Sequence, residues 1–113
     1  MKNKLGISRR NQAILWVPEI DTELEHCPCL QRIWIRVIDE PDTNSFVTTK
    51  GRVEVHFTWR SRDLYGAWMS NLVGLVYMIY NEVLGTEYEI VKLVDYCDSL
   101  HIYDSDWAKA REI

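Results

Sequence analysis

The residues of this chain best suited to chemistry sit in a few short stretches. "CPC", residues 27 to 29, sets two thiols on either side of a proline, just ahead of a strand-like alternation; Cys97 lies far downstream, with His101 following at C-x3-H spacing. Three readings of the thiols are open. A small thiol near a strand start commonly serves buried packing. Cys27, Cys29, Cys97 and His101 could form a tetrahedral metal site, although C-x-C lacks the usual two-residue gap. One thiol could instead be a nucleophile; Cys27 and Cys29 are too close for an easy mutual disulfide.

The nucleophile reading needs nearby cations, because the thiolate is the reactive form. A free thiol of pKa ~8.5 is only about 3% ionised at pH 7, and a fall of two units raises that to roughly three quarters. The candidate cations are Arg9 and Arg10 in "SRR" and Arg60 and Arg62 in "WRSRD". Such pairs also fit plain solvated surface charge. Arg60, however, closes a well-patterned strand, with Ser61 and Asp63 close behind it. Guanidinium plus hydroxyl suits a phosphate monoester, which takes several charge-assisted bonds from a fixed fork. Asn71 offers an amide donor and acceptor, able to read a heterocycle edge or to be satisfied by nearby backbone. His101 and Tyr103 share a face if the segment is extended, and two polar rings there could clasp a sugar hydroxyl.

The elements that must position these groups follow from periodicity. "QAILWV" (12 to 17) is a short apolar run stopped by Pro18, and "VPEIDTELEHCP" reads as an acidic, turn-like connector. In "RIWIRVI" (32 to 38), Ile33, Ile35 and Val37 share one face and Arg32, Trp34 and Arg36 the other, which is a strand. "DEPDTNSFVTTKG" (39 to 51) is a long polar loop. "RVEVHFTWR" (52 to 60) alternates again, with Val53, Val55, Phe57 and Trp59 inward; the two strands are expected to pair antiparallel. From about Ala67 to Leu84 the spacing becomes helical, with Gly85 as C-cap. That helix is apolar nearly all round, which predicts a central, buried position. "EYEIVKLVDYC" (87 to 97) supplies another strand and "DSDWAKAREI" a short terminal helix. The expected class is α+β: a mixed, twisted sheet packed on a central buried helix.

Bulk properties narrow the function. The 113 residues suffice for a single domain, 1-113, with one core, and 47% hydrophobic with 27% charged residues is an ordinary globular composition. Net charge is -4 and the pI about 5.3, so general attraction to nucleic acid is not expected, and any anion must be held by a local cluster. No apolar run approaches the ~18 residues of a membrane span. "MKNKLGISRR" lacks the apolar stretch of a signal peptide, so a cytoplasmic location is expected. Three cysteines in such a chain argue against a disulfide scaffold.

Taken in order, these pieces resemble the second half of thymidylate synthase. "SRRNQAILWVPEIDTELEHCPCLQRIWIRV" is similar to that family's sequence from a double arginine through a Pro-Cys nucleophile into the next strand; "WRSRD", Asn71 and "HIY" follow in the family's order and approximate separations. The resemblance runs from about residue 7 to residue 107. No one motif is decisive, but the ordered set is highly specific.

The resemblance implies the roles. Cys29 would add to carbon six of the dUMP pyrimidine. Arg60 and Ser61 would bind the nucleotide phosphate, joined by Arg9 and Arg10 reaching across a homodimer interface from the partner subunit. Asp63 would line the base and folate region, Asn71 would read the uracil edge, and His101 and Tyr103 would hold the deoxyribose hydroxyl. Methylenetetrahydrofolate would supply both carbon and hydride in the reductive methylation of dUMP to dTMP. Cys27 has no role in this scheme. Where the family usually has histidine after the nucleophile this chain has Leu30, and where it usually has glutamine before the arginine of "RS" it has Trp59. The family's N-terminal half has no counterpart, including a phosphate-binding arginine and the glutamate that organises proton transfers, nor has the C-terminal segment that closes over folate. The chain is therefore expected to be an excised fragment, a split subunit partnered by a missing N-terminal half, or a short relative without turnover. A dUMP hydroxymethylase and a non-catalytic nucleotide-binding or dimerisation module are the alternatives. Asn71 favours uracil over cytosine, whose amino group a carboxylate would better meet.

Overall fold

The structure, a computed structural model, describes residues 8–22, 28–42 and 49–112. A four-stranded sheet in the order β1-β2-β3-β4 forms one layer: β1 (Gln12–Ile14), β2 (Leu30–Asp39), β3 (Gly51–Asp63) and β4 (Tyr88–His101). β1 and β2, like β2 and β3, pair antiparallel, whereas β3 and β4 are parallel and joined by the crossover helix α2 (Trp68–Ile79). This is the α+β arrangement of a mixed sheet packed on a helix. The connector after Trp16 holds a short helix, α1 (Pro18–Asp21), beginning on a proline whose missing N–H costs nothing there. Asp21 ties it down, its carboxylate accepting from Val17 N at 2.6 Å. The chain ends in a 3-10 turn (Asp104–Asp106) and α3 (Trp107–Ala110). No helix among the described residues is long and apolar enough to cross a membrane.

The alternation of β2 and β3 sets the core. Ile33, Ile35 and Val37 are buried from β2, and Val53, Val55, Phe57 and Trp59 from β3, with Phe57, Val53 and Val55 wholly inaccessible. β3 runs on to Asp63, so Arg60 lies within the strand rather than at its end. Against this surface α2 lays Leu72, Leu75, Val76 and Ile79, and Leu84 closes the far end. The helix finishes in a wider π-helical turn (Tyr80–Leu84), where Gly85 N donates to Tyr80 O at 2.9 Å. Gly85 takes φ 59, the left-handed region where a side chain is penalised, as its C-cap position requires. The Tyr80 hydroxyl accepts from Ile90 N at 2.8 Å, fastening the helix end to β4. Burial of α2 is one-sided, however. Met69, Val73 and Tyr77 are 61%, 59% and 71% exposed, so the expected all-round enclosure holds only for the face against the sheet.

Of the three one-residue slips in the ladders, two decide which side chains face where near the site, and the third sets Ile38 apart at the far end of β2. In β2, Leu30 pairs with Trp59 but Arg32 with Thr58, leaving Gln31 as an extra residue. In β4, Ile90 pairs with Val53 but Lys92 with Glu54, leaving Val91 extra. Each bulge inverts the alternation beyond it. As a result Asp95 pairs with Phe57 and Cys97 with Trp59, on the core side of β4.

Asp95 uses that position to gather three donors. Its Oδ1 accepts from Trp59 Nε1 at 2.6 Å, and its Oδ2 from Trp68 Nε1 at 2.9 Å and from Arg62 Nη1. Arg62 is 4% exposed; its Nη2 donates to Trp68 O at 2.8 Å, and its guanidinium carbon lies 3.9 Å from the Trp59 ring centroid. Strand β3, strand β4 and the first residue of α2 are thereby locked together. Arg62, read from sequence as a possible cation for a thiol, is instead committed to this buried pair.

Removing one member of such a pair leaves the other buried and uncompensated. Asp95→Ala is expected to lower the unfolding free energy by ~3–5 kcal/mol in urea titrations, with a smaller loss for Asp95→Asn, which keeps an acceptor oxygen. A second expectation concerns Tyr88, whose hydroxyl donates to Glu40 Oε2 at 2.8 Å. Burial first, then the Glu40 bond and charge, push its pKa up to about 12. A raised native pKa gives stability that is complete below the unfolded value near 10 and is lost as pH rises toward about 12. Wild-type stability should therefore fall more steeply across that window than that of Tyr88→Phe.

Candidate active site

Most of the chemically suited residues come from one end of the sheet. Parallel strands β3 and β4 both finish there, antiparallel β2 begins there, and α2 starts just after β3. Crevices at the carboxyl ends of parallel strands commonly take ligands, because loops diverge from them while the strands hold the geometry.

Cys29 precedes β2 and is exposed. Ile33, Ile35 and Val37 face the core, so uninterrupted alternation would bring Cys29 to the same side. The bulge at Gln31 turns Leu30 inward instead, where it packs against the core, and leaves the thiol outward. Arg60 meets it from β3. Its backbone N donates to Cys29 O at 2.8 Å, and its Nη2 lies 3.5 Å from the sulfur. A cation and a thiol are thus side by side in solvent, held through the backbone of two paired strands.

Next to Arg60, Ser61 Oγ lies 3.2 Å from His101 Nδ1, a hydrogen bond whose donor depends on the histidine tautomer. The His101 and Tyr103 rings meet edge to face with centroids 4.9 Å apart, as expected for an extended segment. Hydroxyl, imidazole and phenol therefore form one short run of contacts at this end of β3 and β4. Asp63 pairs in register with His101. Its carboxylate accepts from Gly66 N at 3.1 Å and shapes the turn into α2. A Cβ on Gly66 would meet that carboxylate and oblige it to swing aside. Asn71, in the first turns of α2, is exposed and lines a shallow depression of about 350 Å³ with Trp59, Ser70, Gly74 and Leu75. The depression presents one flat ring and one amide and has no charged lining.

Arg9 and Arg10 lie elsewhere. They precede β1, whose Gln12 pairs with Trp34, and Arg9 O accepts from Trp34 Nε1 at 2.9 Å. Continuing that register puts Arg10 opposite Arg36, seven positions along β2 from Cys29 and so roughly 20 Å away at ~3.3 Å per residue. Within one chain the two arginines do not join the Cys29–Arg60 pair. Cys97 packs against the core, and Cys27 lies outside the described residues. Among the described residues no three histidine, cysteine or acidic side chains converge as metal ligands.

The group that sequence reasoning missed is the Asp95–Arg62–Trp59–Trp68 cluster beneath this end of the sheet. The substitution of tryptophan for the family's usual glutamine at 59 was visible, but its partner depended on the β4 bulge.

The chain is similar to archaeal proteins named "Putative thymidylate synthase". That of Methanothermobacter marburgensis is 32% identical over 106 residues, covering 94% of this chain and 43% of the relative. The Methanothermobacter thermautotrophicus protein is 30% identical over 106 residues, with the same coverage of both chains. For Methanosarcina mazei the figures are 32% over 110 residues, 94% of this chain and 44% of the relative. No family model matches the chain, and no solved structure matches it significantly. The likeness to proteins of that name covers nearly all of this chain but less than half the length of the archaeal relatives it matches.

Proposed function

We propose that this chain is the nucleotide-binding, nucleophile-bearing portion of a thymidylate synthase, with dUMP as its substrate. The observation that carries the reading is the Cys29–Arg60 pair, with Nη2 at 3.5 Å from the sulfur; the Ser61–His101 pair occupies the same end of the sheet. Arg60 and Ser61 hold the phosphate by charge-assisted bonds, and His101 and Tyr103 take the deoxyribose hydroxyl. Asn71 reads the uracil edge from the depression floored by Trp59, and Asp63 borders the base. The Cys29 thiolate adds to carbon six, so that carbon five becomes an enolate-like nucleophile and one hard step becomes two easier ones. As a unit the chain corresponds to the family's C-terminal catalytic half. Arg9 and Arg10 lie too far from their own Cys29 to help, so their contribution requires a second subunit in a homodimer.

In the complete reaction methylenetetrahydrofolate donates carbon and hydride. The described residues do not fit that cofactor. The depression beside Asn71 has no basic side chain for the cofactor's glutamate carboxylates. The steps assigned to this chain are therefore nucleotide binding and thiolate addition. The openness of the site also favours a second reading, a module that binds the nucleotide without turning it over.

Tritium released from carbon five of labelled dUMP separates the two. Without folate, exchange of that tritium into water through reversible thiolate addition, lost in Cys29→Ser while dUMP binding persists, is the outcome expected of the nucleophile. Binding without release supports the module. Arg60→Ala should weaken dUMP binding by ~1.5–3 kcal/mol, the usual worth of hydrogen bonds to a charged group. An unchanged dissociation constant by calorimetry would remove the phosphate assignment.

A further inference from the structure

We propose that the outer face of α2 is a docking surface for the polypeptide that the thymidylate synthase relatives carry outside the region they share with this chain. From Trp68 to Ile79 the helix holds no charged residue. Met69, Val73 and Tyr77, spaced by four, form an apolar stripe that is 61%, 59% and 71% exposed, and Leu64 and Tyr65 in the preceding turn are exposed as well. A helix apolar on all sides is stable when covered on all sides, and a stripe of this kind left in water marks an interaction surface.

The identity of the occupant follows from four observations. First, the match covers 94% of this chain, so the relatives contain this region within proteins more than half of whose length lies outside it. Second, the two outer faces of this sheet and helix offer added polypeptide different chemistry. The opposite face of the sheet is charged: Glu54 lies 3.4 Å from Arg36, 3.7 Å from His56 and 3.9 Å from Lys92. The face of α2 is the apolar one. Third, a second copy meeting the stripe across a twofold axis would bury little. A 12-residue helix is about 18 Å long, and a strip roughly 10 Å wide gives on the order of 200 Å² per partner against the ~800 Å² of a stable interface. A larger partner can also engage the Leu64–Tyr65 turn and roof the depression at Asn71. Fourth, a membrane surface is disfavoured, since an interfacial helix carries a strongly basic polar face and α2 has none.

Docking rests on the likeness to these relatives and not on the nucleotide chemistry, so its test involves no dUMP. The tagged chain is co-expressed with the portion of the Methanothermobacter marburgensis protein that lies outside the shared region. A one-to-one complex by size-exclusion chromatography with light scattering is expected. Val73→Lys combined with Tyr77→Lys should weaken it at least tenfold. Because both positions are exposed, the circular dichroism and unfolding midpoint of the chain alone should stay unchanged. Absence of a complex overturns the proposal, as does a complex indifferent to the paired substitution. A homodimer of this chain that the substitution dissociates overturns it too, since the occupant is then a second copy.

Discussion

The carboxylate of Asp95 is the point on which the architecture around the site turns. It takes indole protons from Trp59 and Trp68 and an ion pair from Arg62, so one side chain of β4 fixes two side chains of β3 and the first residue of α2. A buried ion pair adds little to net stability when compared with a well-packed apolar replacement, but it penalises any arrangement that separates its members. Here that penalty holds the β3–α2–β4 unit in one register. Arg60, Ser61 and Asp63 are carried on the same stretch of β3 as Trp59 and Arg62, and His101 follows Asp95 on the same strand. The groups at this strand end take their spacing from the buried cluster.

Strands β2 and β3, their antiparallel pairing, the crossover helix, its glycine cap and the α+β class were all legible in the sequence, because period-2 and period-3.6 patterns report directly which face is apolar. The burial of Ile33, Ile35, Val37, Val53, Val55, Phe57 and Trp59 follows that pattern residue by residue. Inserted residues were not legible. Gln31 and Val91 look like ordinary strand positions, and only the partner strand reveals that each is extra. The role of Arg62 was hidden for the same reason, since its acceptor reaches the core side through the Val91 bulge. The short helix at Pro18–Asp21 was read as connector, its signal being a proline and one buried carboxylate.

For the candidate site, the types and order of Cys29, Arg60, Ser61, Asp63, Asn71, His101 and Tyr103 came from sequence, and the sheet gathers them at one end. The adjacency of Arg60 to Cys29 across β2 and β3, and of Ser61 to His101 across β3 and β4, required the registers. Arg9 and Arg10 carry the same chemistry as Arg60, yet their place is set by pairing at the other end of β2. Charge type was legible; location was a matter of which strand end each charge occupies.

The outward aim of the Cys29 sulfur has an origin that no exchange of side chain supplies. It is a matter of counting: with one amino acid more or fewer between the thiol and Ile33, the same atom would point among the aliphatic residues. Sidedness on a pleated ribbon is binary, so this stretch tolerates changes in length by twos but not by ones.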